Sequence, residues 1–300
     1  MNRASSLLDE VVGMKFPVLK DGFVRVVDYM GSDESIVQAA RVSYGRGTKR
    51  LHEDRGLIRY LMRHRHTAPF EMCEIKLHVR VPMDTWRQWI RHRTASVNEY
   101  STRYSVAIDS FDFTLDTEWR KASSVNRQGS EGFIDQAVGR RLSQHEGELH
   151  DRSLTIYQER LKEGVAREQA RKDLPLSTYT EAYWKIDLHN LFHFLELRLN
   201  SSAQMEIRRY AEVIGSEVVC RWCPISWEAF CDYRLGGIVL SGIELSIIRS
   251  LLSEGAEEAT SVAFRAGFLE RAEGGLRPNR ERVELEIKMQ NLGLPIPWKE

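Results

Sequence analysis

Residues 84–103 have the sequence DTWRQWIRHRTASVNEYSTR, in which a short amphipathic stretch runs into a dense polar one. Asp84 is a typical helix N-cap. Three apolar side chains then lie at i, i+3 and i+4 on one helix face: Trp86, Trp89 and Ile90. This spacing predicts a short helix with these three residues in the core, because positions three and four apart share a face. The other face carries polar groups to the helix end, where we expect a loop from Thr94.

The polar stretch, residues 91–103, has the composition of an anion site. Its cationic forks are Arg91, Arg93 and Arg103. Arginine forks match phosphate oxygens bidentately, so several of them around one site would neutralise a monophosphate or a pyrophosphate. Ser101 adds a donor, and Glu99 could accept from a ribose hydroxyl or a base imide. The alternative is a solvated surface loop, which the composition alone favours.

The spacing of these residues favours an anion site over a surface loop. Arg91-His92-Arg93, seven further residues and Ser101 match the RHR-x7-S signature of the flavin-dependent thymidylate synthases. Segments before and after the signature also resemble this family, at residues 30–43, 64–71, 167–175, 193–198 and 203–207. The resemblance covers roughly residues 20–234.

The resemblance implies an α/β (α+β) fold, with a small mixed or antiparallel sheet packed with several long helices. It implies reductive methylation of dUMP to dTMP, with methylenetetrahydrofolate as carbon donor and NADPH, through bound FAD, as hydride source. It also implies a homotetramer with shared active sites. No G-x-G-x-x-G fingerprint follows a strand in the sequence, so NADPH is expected to bind transiently.

Carried over by motif position, the residues implied to hold dUMP are Gln88, Arg91, Glu99, Ser101, Arg103, Arg171 and Arg198. Those implied to contact FAD are Ser43, Arg91, His92, Arg93, Glu99, Asp187, His189 and His193. Arg198 is the implied catalytic residue, placed against the uracil ring. The chain has Asp187 and His189 where members often carry Asn and Arg, and Ser202 where a His is frequent.

Ser101 and the histidine pair each admit another interpretation. A nucleophilic serine needs an adjacent base, but the neighbours of Ser101 are arginines, which accept no proton; we therefore expect a phosphate ligand. His189 and His193 have the i, i+4 spacing of some metal sites. Flavin contact, or exposure and helix–helix hydrogen bonding, is favoured over metal binding, and no metal is expected.

Hydrophobic periodicity predicts the remaining elements. Alternation predicts strands at residues 23–29, 75–81 and 108–115. Helices are predicted from Asp33 as N-cap to about residue 45, and at residues 136–163, 166–172, 187–200 and 203–221. We predict a catalytic domain at residues 1–234 and an appended helical extension at 235–300, where Ser241 and Glu244 form a capping box and Gly255 closes the helix.

Composition excludes several classes of protein. Lys and Arg number 43 and Asp and Glu number 43, so no overall field favours nucleic acid. We expect no signal peptide and no membrane span, because charges interrupt every apolar run. Four cysteines fit a reducing cytoplasm, with Cys220 and Cys223 as buried small hydrophobes rather than zinc ligands. A nucleic-acid-binding module and a flavoenzyme that does not methylate remain the alternatives.

Overall fold

The structure is a computed structural model that describes residues 7–42, 51–101, 110–123, 129–273 and 275–299, with the side chains of residues 51–53 left aside. Ser43, Arg103 and the first two residues of the predicted strand at 108–115 lie outside this part of the chain. The chain divides into two compact units, Met1–Leu235 and Gly236–Glu300. Each unit has a hydrophobic cluster of its own.

The first unit is built on a five-stranded sheet. Its strands are β1 (Lys15–Val18), β2 (Gly22–Met30), β3 (Glu74–Pro82), β4 (Ser96–Glu99) and β7 (Tyr179–Asp187). Their order across the sheet is β1-β2-β3-β7-β4. A separate hairpin pairs β5 (Arg120–Ala122) with β6 (Ser130–Phe133). Every neighbouring pair in the sheet is antiparallel, which confirms the expected fold class.

The helices of this unit precede, connect and follow the strands. They are α1 (Asp33–Val42), α2 (Leu51–Arg63), α3 (Ala68–Glu71), α4 (Met83–Trp89), α5 (Gln136–Lys162), α6 (Arg167–Ala170), α7 (Leu188–Arg198), α8 (Met205–Val213), α9 (Cys220–Trp222) and α10 (Pro224–Phe230). Short 3₁₀ turns lie at Asp9–Val11 and Arg171–Asp173, and π-helical turns at Ile214–Val219 and Cys231–Leu235.

Side-chain alternation explains why the central strands form. In β3, Ile75, Leu77, Val79 and Val81 are buried, and the intervening residues lie on the polar face of the sheet. The predicted strands at 23–29 and 75–81 are confirmed as β2 and β3. Strand β7, which pairs with β3 along its whole length, was not predicted.

Two predictions on strands are wrong. The loop expected from Thr94 contains β4, which pairs with β7; its four residues are all exposed, so no apolar alternation marks it. Residues 110–115 form only an isolated bridge, from Phe111 to Thr178. The predicted strand breaks there because the Thr114 amide donates to the Glu146 carboxylate at 2.7 Å, instead of to a neighbouring strand.

Helix α4 buries its tryptophans as predicted, with Trp86 2% and Trp89 0% exposed. Ile90, predicted to lie in the core beside them, is 41% exposed. Ile90 is the C-cap of α4 and still has a helical conformation, with its N–H donating to the Trp86 carbonyl, but it lies at the last position of the helix, where its side chain is only partly covered. The segment after Ile90 therefore starts at the protein surface.

Asp33 does not act as the N-cap of α1. The carbonyl of Ser32 accepts the first helical bonds, from Ser35 N and Ile36 N. The Asp33 carboxylate instead accepts from Ile225 N at 2.8 Å and from Ser226 N at 3.0 Å, at the start of α10. Burial raises the pKa of this carboxyl, and the hydrogen bonds from Ser226 and Ile225 oppose that rise.

In its described residues, the second unit has three helices and a small hairpin. They are α11 (Gly242–Ser253), α12 (Ala256–Arg265), α13 (Arg280–Asn291), and β8 (Arg271–Ala272) paired with β9 (Gly275–Leu276). The predicted capping box of Ser241 and Glu244 is present at the start of α11. Within the described residues, no helix combines the length and the apolar composition needed to cross a bilayer.

Candidate active site

The end of α4 and one side of α7 enclose a pocket of about 310 Å³, which we call the arginine pocket. Its lining residues are Arg91, His92, Arg93, Thr94, Ile186, Asn190, His193, Leu197 and Arg198. The RHR triplet follows α4, and Arg198 is the last residue of α7. Residues that lie about a hundred positions apart in the chain are therefore brought to one site.

Arg198 is fixed by two hydrogen bonds to the α4 end of the pocket. Its Nε donates to His92 Nε2 at 3.1 Å, and its Nη2 donates to the backbone carbonyl of Gln88 at 3.2 Å. A guanidinium has five N–H donors, so several remain for a ligand. The planar head of Arg198 is thus oriented by the protein before any ligand binds.

His92 is held in its neutral form. Burial, together with the charge of Arg198 and the nearby His193, lowers its pKa to about 4. A neutral imidazole that accepts at Nε2 carries its proton on Nδ1. Burial also lowers the pKa of Arg198, whose guanidinium nevertheless stays charged at neutral pH.

The described lining of the arginine pocket contains three guanidinium groups and no carboxylate. Within the described residues, Arg91 and Arg93 make no ion pair. Such a lining favours a ligand with several negative charges, because each fork can bind phosphate oxygens bidentately. The residues present therefore fit a nucleotide phosphate, although the volume lies at the small end of the usual range for ligand sites.

A second pocket of about 130 Å³, the histidine pocket, adjoins the first along α7. Its lining residues are Leu61, Met62, Arg65, His66, Thr67, Phe70, His189, Phe192, His193, Glu196, Phe230 and Arg234. His193 lines both pockets. The core face of α7 consists of its buried apolar residues, which are Leu188, Leu191, Phe192, Phe194 and Leu195. Its polar residues are left to the two pockets.

Several predicted site residues lie outside both pockets. Glu99, at the end of β4, accepts from Trp86 Nε1 at 3.0 Å and from Thr180 Oγ1 at 2.9 Å. Asp187 caps α7 by accepting from Asn190 N at 2.9 Å. Half-buried Ser101 and Arg171 line neither pocket. Gln88 touches Arg198 through its backbone, and Ser43 and Arg103 are not described.

Asn190 and Gln204 are among the residues at or near the arginine pocket that the sequence did not predict. Asn190 lines this pocket, and its position three residues before His193 on the same helix face could have indicated this. Gln204 bonds the side chain of Gln88. Gln204 lies in the segment 203–207 that resembles the family, but an amide pair between distant segments leaves no periodic pattern in a sequence.

The cysteines and histidines of the described chain show no metal site. No group of three or more His, Cys, Asp or Glu side chains is placed there to hold an ion. All four cysteines are free thiols. Cys223 is fully buried, and burial raises its pKa, so it is a core residue as predicted.

Comparison with known proteins identifies a family that this chain resembles. The family described as "Thymidylate synthase complementing protein" matches residues 25–225. A flavin-dependent thymidylate synthase of Wolbachia pipientis wMel is 49% identical over 247 residues, which cover 82% of this chain and 86% of that protein. The corresponding enzyme of Thermus thermophilus is 52% identical over 241 residues, with 80% and 87% covered.

A solved structure agrees with the sequence comparison. The UMP/dUMP methylase PolB from Streptomyces cacaoi, bound with 5-Br dUMP, superimposes with a TM-score of 0.66 at 32% identity. The match covers 73% of this chain and 98% of that protein. The segment that the family matches, residues 25–225, lies in the first unit, which holds the two pockets.

Proposed function

This chain belongs to the flavin-dependent thymidylate synthases, and on that premise we propose that its arginine pocket binds the nucleotide substrate beside the flavin. The enzyme methylates dUMP to dTMP, with methylenetetrahydrofolate as carbon donor and NADPH as hydride source. The observation that supports this use of the pocket is its lining of three guanidinium groups without a described carboxylate.

The predicted ligands divide between the two binding partners. For dUMP they are Gln88, Arg91, Glu99, Ser101, Arg103, Arg171 and Arg198. For FAD they are Ser43, Arg91, His92, Arg93, Glu99, Asp187, His189 and His193. Support differs from residue to residue: Arg91 and Arg198 line the arginine pocket, and His193 joins it to the histidine pocket.

Arg198 is the residue that we assign to the chemistry. Carbon C5 of uracil is a weak nucleophile, and a cation at the N3/O4 side lowers the energy of negative charge on the ring, which raises electron density at C5. Because His92 and the Gln88 carbonyl hold the guanidinium in place, little reorganisation is needed during the reaction. Bound FAD supplies the hydride transfer, and the protein supplies binding and orientation.

The neutral state of His92 is part of this arrangement. A protonated imidazole would present an N–H to Arg198 Nε and break their hydrogen bond. The lowered pKa of His92 keeps Nε2 available as an acceptor at neutral pH. His92 thus orients Arg198 without adding a competing charge.

We assign the active sites to a homotetramer in which neighbouring copies complete one another. Arg171 supports this assignment, because it is a predicted dUMP ligand that lines neither pocket of its own chain. Mixing two inactive variants, Arg171→Ala and Arg198→Ala, tests it. Shared sites restore up to a quarter of the activity in mixed oligomers, whereas sites built from one chain restore none.

The extension at residues 235–300 has no assigned chemistry, and we place it outside the catalytic domain. It forms a compact unit with its own hydrophobic cluster. A chain truncated after Gly236 is expected to retain FAD and dTMP formation. Size-exclusion chromatography of the same variant tests whether the extension contributes to the oligomer. The free thiols of all four cysteines support the cytoplasm as the location.

One assay tests the proposed function as a whole. Purified protein is expected to show flavin absorbance and to convert dUMP to dTMP when NADPH and methylenetetrahydrofolate are added. Arg198→Ala is expected to lower kcat about 10²–10³-fold, and the control Arg25→Ala, on the polar sheet face, to leave kcat nearly unchanged. Protein without affinity for FAD or dUMP would contradict the proposal.

A further inference from the structure

The side chain of Gln88 belongs to a relay of three side chains that ends on a carboxylate. Gln88 Nε2 donates to Gln204 Oε1. Gln204 Nε2 in turn donates to Asp84 Oδ2 at 3.2 Å. Asp84 and Gln88 lie in α4, and Gln204 is the residue before α8, so the relay joins two helices that are far apart in sequence.

The carboxylate sets the direction of the whole relay. A glutamine amide has a donor end and an acceptor end of nearly equal shape, so its orientation follows from its hydrogen bonds. Asp84, as a carboxylate, can only accept. Gln204 must therefore turn its NH₂ to Asp84 and its oxygen to Gln88. Gln88 must then turn its NH₂ to Gln204.

The oxygen of Gln88 is left as an acceptor. Within the described residues no donor bonds to Gln88 Oε1, and this atom is not among the enclosed polar atoms that lack a partner. The backbone carbonyl of the same residue accepts from Arg198. Gln88, which is half-buried, therefore offers an oriented acceptor next to the group that fixes the catalytic guanidinium.

We infer that Asp84 and Gln204 are positioning residues, which fix the amide of Gln88 so that its oxygen accepts a hydrogen bond from the bound nucleotide. This inference rests on the proposed role of Gln88 as a dUMP ligand. The uracil N3–H and the 3′-hydroxyl of deoxyribose are donors of the kind that this oxygen can bind. A Gln88 amide that is free to reverse presents an N–H to the same donor, and the bond is lost.

Substitution of Gln204 by methionine tests the relay. Gln204→Met keeps the length of the side chain and removes both hydrogen bonds. It removes no helix cap, because the Gln204 side chain makes no capping bond to α8. We expect the Kd of dUMP, measured by calorimetry on the FAD-loaded enzyme, to rise about tenfold. The KM values for NADPH and methylenetetrahydrofolate, and the flavin content, should stay unchanged.

Asp84 provides a test of direction. Asp84→Asn allows both orientations of the relay, so we expect a smaller rise in the Kd of dUMP, of about threefold. Asp84→Glu keeps a carboxylate, so its Kd for dUMP should stay close to that of the wild-type enzyme. Gln144→Met is the matched control, because it breaks a similar bond from Gln144 Nε2 to Glu148 Oε1, of 2.9 Å, on the exposed side of α5. It should leave dUMP binding intact.

A double-mutant cycle separates the role of Gln204 from that of Gln88. If Gln204 acts through Gln88, Gln204→Met has no further effect in a Gln88→Met background. An unchanged Kd for Gln204→Met, or an equal loss in both backgrounds, overturns the inference. If Gln88→Met itself leaves dUMP binding intact, it is the proposed role of Gln88 that fails.

Discussion

Two histidines of this chain accept a hydrogen bond from an arginine, and their surroundings differ in one carboxylate. On the polar sheet face, His78 Nδ1 accepts from Arg25 Nη2 at 2.5 Å, and its Nε2–H donates to Glu181 Oε2 at 2.7 Å. In the arginine pocket, His92 accepts from Arg198, and the described lining holds no acid. Burial lowers the pKa of both imidazoles.

The difference shows in which of the two clusters the charges are balanced. On the sheet, Glu181 also lies 3.7 Å from Arg80, whose other partner is Asp21, so cations and carboxylates balance. In the pocket, the positive charge is not balanced by the described residues. A cluster that is already neutral stabilises the fold, whereas one that lacks its anion is suited to bind a ligand.

The largest effect is expected from Arg198→Ala. Loss of an oriented group that stabilises developing charge typically costs about 10²–10³ in kcat, and dTMP formation by the FAD-loaded enzyme is the measurement. Arg25→Ala is the matched control, because it removes the corresponding bond to His78 and should change kcat less than about twofold. Equal losses in the two variants would remove the distinction between the clusters.

The next effect is expected from Arg91→Ala. Loss of a charge-assisted pair to phosphate is expected to raise the Kd of dUMP about 10–30-fold, which is about 1.4–2 kcal/mol. The wild-type affinity should also fall more steeply with salt than that of the variant. Arg87, exposed in α4 and outside the described pocket linings, gives the control Arg87→Ala. Calorimetry at two salt concentrations measures the Kd of dUMP and its salt dependence.

A smaller effect, on stability alone, is expected from Glu181→Gln. The change leaves Arg80 and His78 without their shared charged partner. Because Glu181 is partly exposed, we expect a loss of about 1 kcal/mol in the free energy of unfolding, with kcat unchanged. Urea denaturation and the turnover assay measure the two quantities. A marked loss of turnover at full stability would place the sheet cluster in the active site.

The last effect, which is absent at neutral pH, is a pH dependence carried by His92. Its folded pKa of about 4 lies below the unfolded value near 6.5, so the unfolded chain binds the proton more readily. Its contribution to stability is therefore present above pH 6.5 and is lost as the pH falls through about 4. In the His92→Gln variant, the free energy of unfolding should depend less on pH over that range. An NMR titration of the His92 ring with a midpoint above 6 would contradict this.

The sequence predicts the parts of this site that depend on local patterns. The tryptophans of α4 and the core face of α7 follow helical spacing, and β2 and β3 follow alternation. The exposed edge strand β4 has no such pattern. The bond from Arg198 to His92 spans 106 residues, and the pairing of Gln204 with Gln88 spans 116. Contacts of this kind depend on tertiary packing, which a single sequence does not display.

The hydrogen bonds from the start of α10 to Asp33 have a consequence for how the enzyme is made. Asp33 and Ile225 are 192 residues apart. At about 5–20 residues per second, a ribosome needs roughly 10–40 s to add that much chain. The acceptor at α1 therefore emerges long before its donors at α10 exist, and the catalytic unit can close only near the end of its own synthesis. Until then the Asp33 carboxylate lacks the donors that it has in the folded protein.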